Sequence, residues 1–240
     1  DLEQLKVKNF RSLPTVGGEI IGSGSLKIGV LSALKNQQAI DPKKMLINAQ
    51  FKTVVPTQKL LSPYVSFPQD VQVGELQANL KVSGTWAKPE GVLKWLAPNN
   101  TLANKMGISG AGEVQLVKDT LLFRDTRLQA GQGTLFFNGF GDLKKEAWRG
   151  ELMAQQFPLD PFFGIVCDRS PNTCSYLKIS QPVTLETLNV NLSGQFKQIA
   201  PETINGVANL ALKTRNGNLS LTSQVKQGNF TASTIASGLS

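Results

Sequence analysis

The stretch "GELQANLKVSGTW", residues 74–86, constrains this chain more than any other feature. Leu76, Ala78, Leu80, Val82 and Trp86 form one alternating set, and Glu75, Gln77, Asn79, Lys81 and Ser83 form the other. Successive side chains leave a β-strand on opposite sides, so a strict period of two predicts a strand with one buried and one wet face. "ETLNVNLSGQF" repeats the pattern, with Leu188, Val190, Leu192 and Phe196 against Thr187, Asn189, Asn191 and Ser193. Shorter alternations place Val114 with Leu116, Leu135 with Phe137, Leu152 with Ala154, and Leu219 with Leu221.

Turn chemistry separates these runs. Asn216-Gly217 is the clearest hairpin signal, because a type I′ turn needs positive φ at both central residues. Lys118-Asp119, Asp41-Pro42 and Gln227-Gly228 are weaker turns. Helical periodicity is scarce. "SLKIGVLSALKNQ" fits a period of 3.6, but Leu26, Ile28 and Val30 fit a strand, which is the expectation adopted for it. Pro56, Pro63 and Pro68 mark 56–70 as a proline-rich loop or edge segment, since proline cannot donate to a ladder. Gly29, Gly84, Gly139 and Gly194 recur every 55 residues, three of them closing an alternating run, which predicts a degenerate repeat. The expected fold is all-β: one elongated, repeat-built antiparallel domain over residues 1–240.

Several function classes are disfavoured. The chain has no histidine, which removes the commonest general base and metal ligand. Its carboxylates sit in turns (Asp41, Asp119, Asp142) or on polar strand positions (Glu75, Glu113) with no convergent pair, so an enzyme is not expected. The net charge of +8 favours acidic partners, but the lysines are scattered and the aromatics are mostly strand phenylalanines, which argues against nucleic acid. Cys167 and Cys174, in "CDRSPNTC", are too few for a structural zinc site. A local disulfide in an extracytoplasmic protein and a pair of reduced thiols are the two readings, the disulfide being favoured. No cofactor and no metal is expected. The chain opens on Asp1 without an initiator methionine or leader and ends on "TASTIASGLS", which reads as part of a much longer protein.

The grammar of alternating strand, glycine, proline-bearing turn and second strand in "LKVSGTWAKPEGVLKW" and "LNVNLSGQFKQIAPETINGVANLALK", with "RLQAGQGTLFFNGFGDL" and "LMAQQFPLDPF", resembles the TamB/AsmA-like envelope proteins, notably the TamB repeat region and its chloroplast inner-envelope relative. The likeness covers residues 70–240 well and the first 70 weakly. It implies a sheet curled like a taco shell around an apolar interior. It also implies an inner-membrane anchor outside residues 1–240, a place in the periplasm or intermembrane space, and phospholipid as cargo. An Omp85-type outer-membrane barrel is the implied protein partner, so a scaffold for barrel assembly or protein import is the alternative role. The residues expected to line the groove are Leu76, Leu80, Val82, Trp86, Val114, Leu116, Leu135, Phe137, Leu188, Val190, Leu192, Leu219 and Leu221. On pattern alone a β-sandwich with an ordinary core remains the competing architecture.

Overall fold

The computed structural model describes residues 3–15, 17–37, 39–62, 71–102, 106–159, 183–195, 204–214, 217–227 and 229–237. Their backbone is dominated by fourteen strands: β1 (Gln4–Ser12), β2 (Glu19–Lys27), β3 (Leu46–Pro56), β4 (Val71–Val73), β5 (Glu75–Thr85), β6 (Lys88–Leu102), β7 (Met106–Val117), β8 (Thr120–Ala130), β9 (Gly133–Asp142), β10 (Ala147–Pro158), β11 (Thr184–Gln195), β12 (Asn205–Thr214), β13 (Gly217–Lys226) and β14 (Asn229–Ser237). They form one antiparallel sheet in sequence order, except that the short β4 pairs with β6. The sheet is not closed: β1 and β14 are its two edges.

Thirteen strands in file at about 4.8 Å each make a sheet roughly 60 Å long. The surface reflects this openness. A compact chain of 25.9 kDa exposes about 10,500 Å² by size scaling, whereas this one exposes 16190 Å². Among the described residues the buried apolar set is small: Val55, Ala130, Ala154, Phe157, Val183 and Leu185. Four of these, at the ends of β8, β10 and β11, make one cluster.

Two hairpins turn where the sequence placed them. Lys118 takes φ +56° between the paired Val117 and Thr120, and Gln227 takes φ +50° between Lys226 and Asn229. Thr214 pairs with Gly217, so Gly217 is the first ladder residue of β13 and not a central residue of the turn expected at Asn216-Gly217. Pro98 interrupts β6, and the register slips between Ala97 and Asn100. Asn100 repairs the break: its amide donates to the Ala97 and Ile108 carbonyls (3.0 and 3.1 Å), and its oxygen accepts the Gly74 N–H at 3.2 Å.

Three expectations change. The segment after Lys27 is not strand: Gly29, at φ +73°, turns the chain out of the sheet into α1 (Val30–Lys35), whose Leu31 N–H donates to the Glu3 carboxylate at 2.7 Å. Residues 56–62 are not simply loop, because Pro56 still pairs with Glu75 and Thr57–Leu61 form a short helix, α2. Of the glycines spaced 55 residues apart, Gly84, Gly139 and Gly194 lie in β5, β9 and β11, while Gly29, expected in a strand, lies in none.

Candidate functional site

Residues paired across an antiparallel ladder share a face, so the registers assign every strand position to one side of the sheet. Leu80 pairs with Phe51 on β3 and with Leu93 on β6, and Leu93 pairs with Val114 on β7. Val114 pairs with Phe123 on β8; Phe137 of β9 pairs with Thr126 and Leu152, and Leu152 with Val190 of β11. From Val190 the row runs through Ala208 to Ser223 and Ala232. Parallel rows join Val82 through Gly91 to Leu116, Leu135 through Ala154 to Leu188, Leu188 through Leu210 to Leu221, and Leu185 through Leu212 to Leu219. The face so defined crosses all thirteen strands of the path. Its polar residues include Ser12, Thr53, Asn100, Thr126, Ser223 and Thr234, and no Lys, Arg, Asp or Glu lies on it in the paired residues.

Twelve of the thirteen expected lining residues, Leu76, Leu80, Val82, Val114, Leu116, Leu135, Phe137, Leu188, Val190, Leu192, Leu219 and Leu221, fall on this one face. Trp86 does not. Thr85 pairs with Lys88 and its hydroxyl accepts the Lys88 N–H at 3.1 Å, so the ladder closes before the alternation reaches Trp86, which stands in the turn 65% exposed. Cys167 and Cys174 lie outside the described residues.

Aromatic rings lie over glycines on the apolar face. Trp95 pairs with Gly112, where an added Cβ would come within 2.8 Å of the indole Nε1. Phe51 covers Gly22, and Trp148 covers Gly194, in the same cross-strand relation. Phe137 spreads over Gly139 and Gly150 and meets Phe123 edge-on at 5.8 Å between centroids. A ring laid on a bare backbone restores the contacts that glycine lacks and keeps the face low and smooth. Among the described residues of β3 and β5–β13, no large apolar side chain of this face is among the exposed ones. Exposure returns only at the edges, with Leu5 at 60% and Phe230 at 64%.

The opposite face carries the charged side chains, with Ile21, Val54, Leu96, Phe140 and Val207 exposed among them. Lys94, Glu113 and Arg124 occupy adjacent strands in one row. Lys94 Nζ lies 3.0 Å from the Glu113 carboxylate, and Gln115 also donates to it. The hydrogen bonds from Lys94 and then Gln115 hold Glu113 below the ordinary carboxylate range. A depression of about 510 Å³, whose rim includes Lys94, Glu113, Arg127, Phe136 and Met153, opens beside this row.

Sequence reasoning missed much of the apolar face. Asp125, at φ +49°, bulges β8, so Leu121 and Phe123 continue onto Thr126, Leu128 and Ala130 with the parity reversed. Gly91, Gly110 and Gly112 hid the apolar rows of β6 and β7, and for Gly110 and Gly112 the ring of Trp95 that lies over both was the signal available to find them.

Among the described residues no helix is long and apolar enough to cross a membrane. Comparison with known protein families, with curated proteins and with solved structures finds no match.

Proposed function

We propose that the sheet curls about its uncharged face into a β-taco-like groove, and that this groove holds or shields phospholipid acyl chains between the two membranes of a cell envelope. The observation that carries the reading is the face itself: uncharged across thirteen strands, shielded in its middle and exposed at its ends. An acyl chain offers no hydrogen bonds and needs only continuous apolar surface, which rings lying on glycines supply. The face measures roughly 60 Å by 30 Å at ordinary strand spacing and rise. The periplasmic or intermembrane setting follows from the family resemblance alone. Native mass spectrometry of gently purified protein tests the reading: phospholipid adducts are the expected result, and protein free of lipid would count against it.

A second reading has its own observation. β14 contains no charged residue, is exposed along its whole length, and leaves one backbone edge unpaired among the described residues. A strand of an Omp85-type barrel or of its client could extend the sheet there by β-augmentation. Lipid-free protein that captures such a strand would favour this scaffold role.

A further inference from the structure

The connection between β2 and β3 builds a structure that neither face requires. Past Gly29 the chain forms α1 and then a 3₁₀ turn (Pro42–Lys44), both beyond the strand ends. The β5–β6 turn is tied to this knot: Trp86 N–H donates to the Met45 carbonyl at 2.9 Å, and Ala87 N–H to the Lys43 carbonyl at 3.3 Å. Five large apolar residues stand exposed in it, Leu31, Leu34, Ile40, Leu46 and Trp86, with Leu34 as open as 68%. A single exposed leucine is ordinary, but a cluster of this kind marks a contact surface.

Charge narrows the partner. Lys35, Lys43, Lys44 and Lys88 are exposed in the same knot, and none forms an ion pair among the described residues. Two carboxylates lie in the same region, Glu3, which accepts from Leu31 N–H, and Asp41, which accepts from Lys43 N–H at 3.0 Å, so cationic side chains remain in excess there. Four unpaired lysines around a tryptophan and exposed leucines match the chemistry of an anionic bilayer surface, where indole and leucine enter the headgroup boundary and ammonium groups meet phosphates.

The next turns along the same rim make a useful contrast. Val117 and Leu143 are exposed beside Lys118, Lys144 and Lys145, but Asp119, Asp142 and Glu146 are interleaved with them. Lys145 already lies 3.8 Å from Asp142. There the charge is largely cancelled.

We propose that the knot of α1, the 3₁₀ turn and the β5–β6 turn docks this end of the sheet onto an anionic membrane surface. This goes beyond the groove reading and does not depend on it. Sedimentation with vesicles provides the test. Wild-type protein is expected to bind phosphatidylcholine vesicles containing phosphatidylglycerol, to ignore pure phosphatidylcholine, and to release at high salt. Each lysine at such a surface contributes about five-fold, so K43E/K44E is expected to weaken binding by at least about 25-fold. W86S/L34S, at exposed positions, is expected to weaken it several-fold while the circular dichroism spectrum stays unchanged. K52E/K81E, which makes the same change in net charge on the polar face, is expected to leave binding intact. Absent binding to anionic vesicles, or equal losses in K43E/K44E and K52E/K81E, would overturn the proposal. A concentration-dependent dimer abolished by W86S/L34S, without vesicle binding, would assign the patch to a second copy of the chain instead. Co-purified phospholipid is expected to persist in K43E/K44E, so the docking and groove readings fail separately.

Discussion

Leu80 and Lys81 are adjacent in the chain and belong to different solvents. Leu80 lies between Phe51 and Leu93 in a row that carries no charge, whereas Lys81 lies between Gln50 and Val92 on the wet side. The polar face is held by pairs such as Lys94–Glu113 and Lys213–Glu186 (3.4 Å), which exchange water for partners at little net gain. The apolar face has no such pairs, and no second layer covers it among the described residues. Much of what holds the sheet together must therefore come from crowding within that face, from leucines beside leucines and rings upon glycines. A single layer shaped this way can keep a surface apolar without filling it.

The largest test of this contrast is a buried charge. Leu80→Asp is expected to cost about 2–4 kcal/mol, read from urea midpoints, or to prevent folding, because it sets a carboxylate among apolar neighbours. Lys81→Asp, one residue away, is expected to change stability by no more than about 0.5 kcal/mol. Equal costs would erase the distinction between the faces.

A finer test concerns the glycines. Gly112→Val places methyl groups against Trp95 and against Thr126, whose hydroxyl lies 2.7 Å from the ideal Cβ position, and is expected to cost about 1–3 kcal/mol. Gly107, on the same strand, has nothing within 4 Å of that position. Gly107→Val is expected to be neutral or slightly stabilising, since a β-branched residue suits an open strand site. Matching losses would mean that the rings do not depend on the glycines beneath them.

The smallest effect belongs to the polar face. Glu113 is held below its ordinary range by Lys94 first and Gln115 second, so its contribution is present above the unfolded carboxylate value of about 4.3 and is lost as pH falls through the lower folded value. Lys94 is 69% exposed, and screening keeps the effect under about 1 kcal/mol. Glu113→Gln is expected to show a small stability deficit at pH 7 that disappears in acid. A deficit that persists unchanged in acid would contradict the assigned ion pair.

Much of this contrast is legible in the amino-acid order. The parity of residues 75–85 and 187–193 assigns their faces directly, because those strands run without interruption. Parity fails where backbone geometry intervenes: Asp125, at φ +49°, sits beside a register break, Gln156, at φ +48°, is left out of the β10–β11 pairing, and each exchanges odd for even. Trp86 reads as a strand residue because nothing local announces that Thr85 closes the hairpin. The helix at Val30–Lys35 has an apolar pattern that also suits a strand, and only the positive φ of Gly29 and the distant Glu3 decide the outcome.

Photo-crosslinking separates the two faces most directly. A benzophenone amino acid placed singly at Leu80, Leu116, Val190 or Leu221 tests one face, and at Lys81, Gln115, Asn191 or Thr222 the other. The account predicts covalent phospholipid adducts at all four positions of the first set and at none of the second. Adducts distributed equally over both sets, or their absence from Leu80, Leu116, Val190 and Leu221 alike, would contradict it.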